Sequence, residues 1–502
     1  MQYGYDKAKT GEERYQVLYK THCEAVKLGV DVDYTGLNEI VLTIPDNAKS
    51  IPLTERNDFA DATIIVTNTS HGFFLFQRAY ELEPVKVTKG MIKRGCYPAV
   101  KKKTHGRALL LIEDKTPWVA NRKGYNYAAI RKDAMIVENG KAVNTPVYTY
   151  KSKQSQPMAY CRVLEGNGTE VKNLTFKRTA NSTHITYLLK ISNEDNIWIE
   201  NIETFTPESN LTADAIFRIE NSTNIHFTDV RINGTYSGKE AYGYGMNLEN
   251  VYNVQFDHFY GNGKWGVFGN NNVNTAVFRN CRMNRFDIHC YGKDVTFEDC
   301  EFFDLYNQFS SFYGKLVFKH CTFTNFIPVS LEMSYNAYTG FEVYLEDCTF
   351  NTTSQRHALI SAGRMDEAGG SRSELSTLCW PNVYIKDLTV NAGYGANPLY
   401  VFVTRGEQQR RNIDYLSEVK IDGLVYNTTD AVSRIKSVSL CNNEVVSTEK
   451  VDIQLTNVKL GDSPTHNSAS SPEGKFYIPI KQVKGRQHNV SVSNSVLEVI
   501  EQ

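Results

Sequence analysis

A short phrase with strict alternation of apolar and polar residues recurs along the middle of this 502-residue chain. It reads DVTFEDCEF at 294–302, KLVFKHCTF at 315–323 and EVYLEDCTF at 342–350. Six further copies begin at residues 196, 224, 253, 275, 382 and 418, so successive copies start 19–40 residues apart. A period of two predicts β-strands with one buried face, and a repeat of this length predicts one coil of a parallel β-solenoid.

The cysteine of the phrase supports this interpretation. Cys281, Cys300, Cys321 and Cys348 occupy the same position in four successive copies. Parallel coils stack about 4.8 Å apart, so we expect these thiols to form a ladder of small, buried side chains. The chain has ten cysteines and no CxxC pair, and a zinc site or a redox motif is therefore not indicated.

The alternating phrases, the apolar ladders and the Asn-rich turns at Asn193, Asn221, Asn250 and Asn270 resemble a known fold. They are similar to the single-stranded right-handed parallel β-helix of the pectate-lyase-like superfamily, over about residues 160–460. The resemblance implies a carbohydrate-active protein, although a fold constrains function only loosely. We predict an all-β fold, a right-handed parallel β-helix with an N-terminal capping α-helix.

The ends of the chain are predicted to close the solenoid. The sequence Thr10-Gly-Glu-Glu13 is a capping box, and it opens an amphipathic stretch that stops at Gly29. We therefore predict a capping-helix region at 1–35, a β-helix at 36–460, and a closing loop with strands at 461–502. Long inserted loops are expected at 363–382 and 404–418, and residues 70–160 are predicted to form early coils with inserted loops.

Charge and hydropathy limit the partners. The net charge is −1, which gives no nucleic-acid-like bias, and no apolar run reaches the length of a transmembrane segment. The first residues lack an apolar signal core. We predict a secreted, periplasmic or cell-surface protein whose signal peptide is not present in this chain, and the oligomeric state is left open.

Chemistry must lie on outward residues, because inward residues form the core. Strand alternation places His289 and Tyr291 outward, with Tyr313 expected beside Tyr291 on the next coil. A polysaccharide lyase needs a base, an acid for the leaving oxygen, and a group that neutralises the uronate carboxylate. The predicted catalytic residues for β-elimination are His289, Tyr291, Tyr313, Arg285 and Arg218.

A groove along the coils would suit a linear anionic polysaccharide, the predicted partner. The predicted substrate-binding residues are Asn247, Glu249, Trp265, Glu332, Arg364, Arg372 and Arg405. A glycoside hydrolase is the alternative, because it needs two carboxyl groups, and Glu220 and Asp287 are the alternative acids beside Glu249 and Glu332. A non-catalytic carbohydrate-binding or adhesive β-helix is the third interpretation.

Motifs of related enzymes separate these alternatives only in part. The Asn-Thr-Asp, Asp-Asp and Gly-His-Gly motifs of polygalacturonase-type hydrolases do not occur in this sequence. The aspartate ladder of calcium-dependent pectate lyases is also missing from the predicted columns. We therefore expect no cofactor and no metal, with little support for calcium.

Overall fold

The computed structural model describes most of the chain. The described residues are 4–68, 72–77, 82–87, 92–93, 95–100, 106–119, 129–147, 150, 157–164, 168–179, 184–207, 212–234, 243–263, 266–304, 306–310, 312–324, 327–332, 341–352, 358–362, 377–379, 381–392, 398–404, 412–414, 418–428, 436–442, 445–447, 451–460, 474–482, 488–495 and 497–501. They divide into two compact units. The first unit comprises Met1–Thr116 and Ile130–Phe286, and the second comprises Pro117–Ala129 and Asp287–Gln502.

The first unit begins with a 3-10 helix, Tyr5–Lys7, and the α-helix α1, Gly11–Leu28. The predicted capping box is present: Thr10 accepts from the Glu13 amide, and the Glu13 side chain accepts from the Thr10 amide. The buried face of α1 packs on the first strands, where the rings of Tyr15 and Phe73 lie 6.5 Å apart. The helix therefore covers apolar side chains that the first coil would otherwise expose.

Parallel strands form the body of the first unit. The strands of its sequence range are β1 (Glu39–Leu42), β2 (Ile51–Pro52), β3 (Arg56–Val66), β4 (Phe74–Gln77), β5 (Glu83–Val85), β6 (Arg107–Val119), β7 (Ala129–Glu138), β8 (Lys141–Ala142), β9 (Pro157–Val163), β10 (Thr169–Arg178), β11 (His184–Ile185), β12 (Leu189–Ser192), β13 (Asp195–Phe205), β14 (Thr212–Ala213), β15 (Ala215–Asn233), β16 (Tyr244–Asp257), β17 (Tyr260–Asn262), β18 (Asn270–Arg279) and β19 (Arg282–Met283). Strands β13, β15, β16 and β18 pair in sequence, which places Phe227, Phe256 and Phe278 in register. Their rings stack at 4.4 and 4.6 Å, so equal positions of successive coils pack on one another.

An antiparallel sheet interrupts this pattern. Strands β5 to β9 form a five-stranded sheet in the order β5-β9-β6-β7-β8, with antiparallel pairing such as Leu110 opposite Cys161. The prediction of early coils with inserted loops at 70–160 is wrong for these strands. Alternation indicates a half-buried strand but does not distinguish a parallel from an antiparallel partner.

The second unit repeats the parallel arrangement. Its remaining strands are β20 (Asp287–Glu298), β21 (Glu301–Phe302), β22 (Gln308–Ser310), β23 (Phe312–Lys319), β24 (Thr322–Phe323), β25 (Val329–Glu332), β26 (Phe341–Glu346), β27 (Thr349–Thr352), β28 (Ala358–Ala362), β29 (Thr377–Cys379), β30 (Asn382–Ala392), β31 (Leu399–Thr404), β32 (Asn412–Asp414), β33 (Glu418–Thr428), β34 (Lys436–Cys441), β35 (Val445–Ser447), β36 (Asp452–Lys459), β37 (Gly474–Ile478), β38 (Ile480–Gln482), β39 (Asn489–Ser493) and β40 (Leu497–Glu501). Phe297, Phe318 and Leu345 face one another on β20, β23 and β26. The described strands of the second unit pair in parallel, as expected of stacked coils.

The cysteine ladder is present in the second unit. Cys300, Cys321 and Cys348 are at most 3% exposed, and the Cys321 thiol donates to the carbonyls of Phe297 and Lys319 at 3.5 and 3.3 Å. Burial raises the pKa of the Cys321 thiol strongly, and hydrogen bonds to the neighbouring thiols raise it as well. These buried thiols are packing residues of the core, as the sequence predicts.

Asparagine forms the corners of the first unit. Asn193, Asn221 and Asn250 adopt left-handed φ values of 58°, 49° and 57°. Asn is one of the few residues that tolerate this conformation, because its short polar side chain can hydrogen-bond locally. The Asn250 amide donates to Asn221 Oδ1 at 2.9 Å, so the corners also bond from coil to coil.

The predicted fold class is confirmed: the protein is an all-β, right-handed parallel β-helix with an N-terminal α-helix. The predicted limits 1–35, 36–460 and 461–502 stay predictions. Within the described part of the chain, no helix has both the length and the apolar character needed to cross a membrane.

Candidate functional site

Two groups of polar side chains lie where the sequence predicts chemistry, one in each unit. The first is the polar strip of the first unit, which runs across β12, β15 and β16. The structure pairs Lys190 with Arg218 and Arg218 with Asn247; it also pairs Ser192 with Glu220 and Glu220 with Glu249. The polar strip consists of these six residues.

Glu220 is the centre of the polar strip. Its carboxylate accepts from Lys190 Nζ at 2.8 Å, from Arg218 Nε, and from Ser192 Oγ at 3.4 Å. Burial raises the pKa of the Glu220 carboxyl, but the hydrogen bond from Lys190 and the charge of Arg218 together outweigh it, so the net pKa is lowered. Glu220 is therefore held as an anion, which does not suit a general acid. Arg218, predicted to neutralise a uronate, is bonded to this carboxylate.

The antiparallel sheet borders the other end of the polar strip. Lys132 of β7 places its Nζ 3.2 Å from Glu249 Oε1. The amide of Asn247 donates to the Gly269 carbonyl at 2.9 Å. Glu249 and Asn247, both predicted to bind substrate, thus have partners within the protein. Lys132 is a further functional candidate, which was not predicted from the sequence.

The second group is the histidine dyad, Asp287 and His289 of β20 in the second unit. Alternation along β20 places both side chains on the face opposite Ile288, which is fully buried. Asp287 Oδ2 lies 3.1 Å from His289 Nε2. The Asp287 side chain is 0% exposed, whereas that of His289 is 21% exposed. A buried carboxylate thus orients an imidazole that solvent can reach.

The burial of Asp287 corrects one expectation. Asp287 is predicted to be an outward acid for a hydrolase, but its carboxylate has no solvent-exposed surface. Asp287 pairs with Gln308 of β22, which is itself 6% exposed. An outward residue of a coil can therefore be covered by its neighbours, which alternation alone does not predict.

Two further catalytic candidates lie elsewhere than expected. Tyr313 faces Lys293, four residues beyond His289, and a bulge between Lys293 and Val295 shifts the register. At about 3.3 Å per residue, this places Tyr313 about 13 Å along the strand from His289, not beside Tyr291. Arg285 of the first unit is 3% exposed, and its Cδ lies 2.7 Å from the position of a Cβ on Gly266. Gly266 is therefore required for the Arg285 side chain to lie there.

The remaining predicted residues cannot be placed in either group. The side chains of Tyr291, Trp265, Glu332, Arg364, Arg372 and Arg405 lie outside the described residues.

The solved structures that are similar to this chain include three phage tailspikes. The tailspike gp49 of Pseudomonas phage LKA1 has a TM-score of 0.58 at 14% identity, covering 91% of this chain and 76% of that chain. The tailspike gp61 of Pseudomonas phage phi297 has a TM-score of 0.55 at 11% identity, covering 92% and 76%. The Gp54 tailspike of Acinetobacter baumannii bacteriophage AP22, solved with A. baumannii capsular saccharide, has a TM-score of 0.50 at 12% identity, covering 88% and 76%.

These likenesses establish the β-helix fold, and at such identity they establish no more. No protein-family model matches the chain, and no curated protein sequence matches it significantly. The predicted membership of the pectate-lyase-like superfamily stays a prediction.

Proposed function

We propose that this protein cleaves an anionic, uronate-containing polysaccharide by β-elimination, with His289 as the base. The observation that carries the proposal is the 3.1 Å approach of the buried Asp287 carboxylate to Nε2 of the partly exposed His289. The fold supports a polysaccharide ligand, since a structural neighbour was solved with a capsular saccharide. An extracellular place of action is part of the same proposal.

In this proposal each nitrogen of His289 has its own role. The Asp287 carboxylate accepts the proton on Nε2, which fixes the tautomer and places the basic lone pair on Nδ1. In the proposed step, Nδ1 takes the proton from the carbon next to the uronate carboxylate. A carbon–carbon double bond forms as the bond to the leaving oxygen breaks, and Tyr291 is assigned to protonate that oxygen. Asp287 stabilises the imidazolium formed.

The hydrolase alternative has less support from the polar strip. Glu220 and Glu249 face each other on β15 and β16, which provides two carboxylates on neighbouring coils. A glycosidase needs one of its carboxyls protonated, with a raised pKa. The pKa of Glu220 is lowered, since the bonds from Lys190 and Arg218 outweigh the effect of burial.

The test is an absorbance assay with pectate, alginate, hyaluronan, chondroitin and heparin as substrates. Elimination creates an unsaturated uronate, which absorbs ultraviolet light. We expect His289→Ala to lower the rate about 10²- to 10⁴-fold, the usual contribution of a general base. We expect Asp287→Asn to lower it as well and to change its pH profile, because the tautomer is no longer fixed.

The matched control is His258→Ala. His258 also lies beside an aspartate, with Nδ1 3.2 Å from Asp257 Oδ1, but both side chains are well exposed. This variant should retain the full rate. New reducing ends without absorbance would replace the lyase by a hydrolase, and polymer binding without either product would leave a non-catalytic binding protein. Unchanged elimination in His289→Ala would overturn the assignment of the base.

A further inference from the structure

A column of titratable residues follows one corner of the second unit. The residue before the cysteine of the repeated phrase is Asp299, His320 or Asp347 in three successive copies. All three adopt left-handed φ values, of 54°, 51° and 50°. The same position of the phrase in the first unit is Asn201, Asp229, His258 or Asn280, with equally positive φ. Asparagine, aspartate and histidine all adopt this turn, so the backbone alone does not select among them and the side chains decide what this column can bind.

The side chains of this column converge with that of Glu298. Ligand atoms of Glu298, Asp299 and His320 all lie within 4.8 Å of one another. The shortest approach to the imidazole is 3.3 Å, between His320 Nδ1 and Asp299 Oδ1. On the other side of the ring, Asp347 Oδ2 lies 3.7 Å from Nε2.

The 3.3 Å separation of His320 Nδ1 and Asp299 Oδ1 is compatible with two ligands of one metal ion. An N–H···O hydrogen bond is usually about 2.9–3.0 Å long. Zinc bonds to nitrogen and oxygen are about 2.0–2.2 Å, which sets two ligands of a tetrahedral ion about 3.4 Å apart. A carboxylate facing the far nitrogen of a metal-bound histidine is also a recurrent arrangement, because it orients the ring and increases its basicity. Asp347, 3.7 Å from Nε2, lies on the side of the ring where such a carboxylate acts.

We propose that Glu298, Asp299 and His320 bind a divalent transition-metal ion, with Zn²⁺ as the reference ion. The imidazole favours Zn²⁺, Co²⁺ or Ni²⁺ over Ca²⁺ and Mg²⁺, which prefer oxygen ligands. Because Glu298 pairs with Lys319, the residue before His320, the ion links two neighbouring coils. Lys319 Nζ lies 3.4 Å from Glu298 Oε1, but a carboxylate has a second oxygen and this lysine is 41% exposed, so it can yield to the ion.

The test is a titration of the tag-free chain with Zn²⁺ alone, followed by calorimetry or a competing chromophoric chelator. The deciding variant is His320→Asn, which the chain itself uses at this corner, so the left-handed turn is retained. We expect one equivalent of Zn²⁺ to be lost, or its affinity to fall at least tenfold. Asp299→Asn should have the same effect, and Co²⁺ should give the visible absorption of a tetrahedral site in the unaltered chain only.

His258→Asn is the matched control. His258 has a φ of 55° at the same position of the phrase, but the structure pairs its imidazole with one exposed carboxylate, that of Asp257. Zn²⁺ binding should be unchanged in this variant. Binding that is equal in the unaltered chain and His320→Asn would overturn the site, as would no Zn²⁺ binding at all. The readout requires no enzymatic activity, so the result is independent of the proposed function.

Discussion

Burial controls the protonation of His22, a residue of α1. Its side chain is 0% exposed, and Nε2 lies 2.6 Å from the Tyr34 hydroxyl. Burial lowers the pKa of this histidine from 6.5 to about 4. The unfolded chain therefore binds the proton more readily than the folded chain. The contribution of neutral His22 to the free energy of unfolding is fully present above pH 6.5 and is lost as the pH falls towards 4. We expect the free energy of unfolding to be about 2 kcal/mol lower at pH 5 than at neutral pH because of this histidine.

Amide hydrogen exchange in α1 measures this loss, after correction for the intrinsic exchange rate at each pH. Several carboxylates titrate in the same range, and the comparison with His22→Gln separates their contribution, because glutamine does not ionise. The acid-dependent loss of protection between pH 7 and 5 should shrink in the variant. An identical loss in both proteins would contradict the role of His22.

The face of a strand on which a side chain lies was predictable from the sequence, because the alternation of apolar and polar residues determines it. Alternation placed Asp287 and His289 on one face of β20, and the structure brings them into contact. It did not predict that Asp287 is fully buried while His289 reaches solvent. That difference depends on neighbouring coils, whose register includes a bulge after Lys293 that apolar patterning does not encode.

At the scale of strands and turns, the repeated phrase predicted the parallel stack because each copy contributes equal volumes to the core. The Asn-rich turns were also visible, and the structure gives them a second role in bonding between coils. Asn250 shows both roles: it is 2% exposed, donates to Asn221, and accepts from Asn272 at 3.0 Å. Its φ of 57° is left-handed.

Two substitutions of Asn250 separate these roles. Asn250→Gly keeps the left-handed turn but loses two hydrogen bonds, which should cost about 2 kcal/mol. Asn250→Ala also places a Cβ in the left-handed region, which should cost about 1–2 kcal/mol more. The measurement is the shift of the denaturant midpoint followed by fluorescence. Equal shifts for the two variants would show that the backbone conformation contributes nothing.

At the scale of the whole molecule, the antiparallel sheet of the first unit is the feature that the sequence analysis missed. One local signal was present, because Asn139-Gly140 joins β7 to β8 and both residues have positive φ. Such a dipeptide between strands is typical of an antiparallel hairpin. The contacts that dock the sheet were not predictable, since they join residues far apart in sequence, such as Arg107 and Asp195.

The contact between Arg107 and Asp195 should dominate the docking of this sheet. Arg107 Nε lies 2.8 Å from Asp195 Oδ2, and the Asp195 side chain is 3% exposed. Thr223 and Asn224 donate to Oδ1, at 2.7 and 2.6 Å. Arg107→Ala therefore leaves a buried carboxylate that keeps the neutral donors Thr223 and Asn224 but loses its cationic partner. We expect the protection of the β6 and β7 amides to fall by about 2–3 kcal/mol.

Lys132→Ala provides the matched comparison in the same sheet. The pair of Lys132 with Glu249 is about 30% exposed on both sides, and a solvated ion pair contributes at most about 1 kcal/mol. Adding Asp195→Asn to Arg107→Ala should restore part of the protection, because the buried charge is then removed. If both single variants lose equal protection, or if the double variant recovers nothing, the buried charge does not hold the sheet and the neutral contacts must do so.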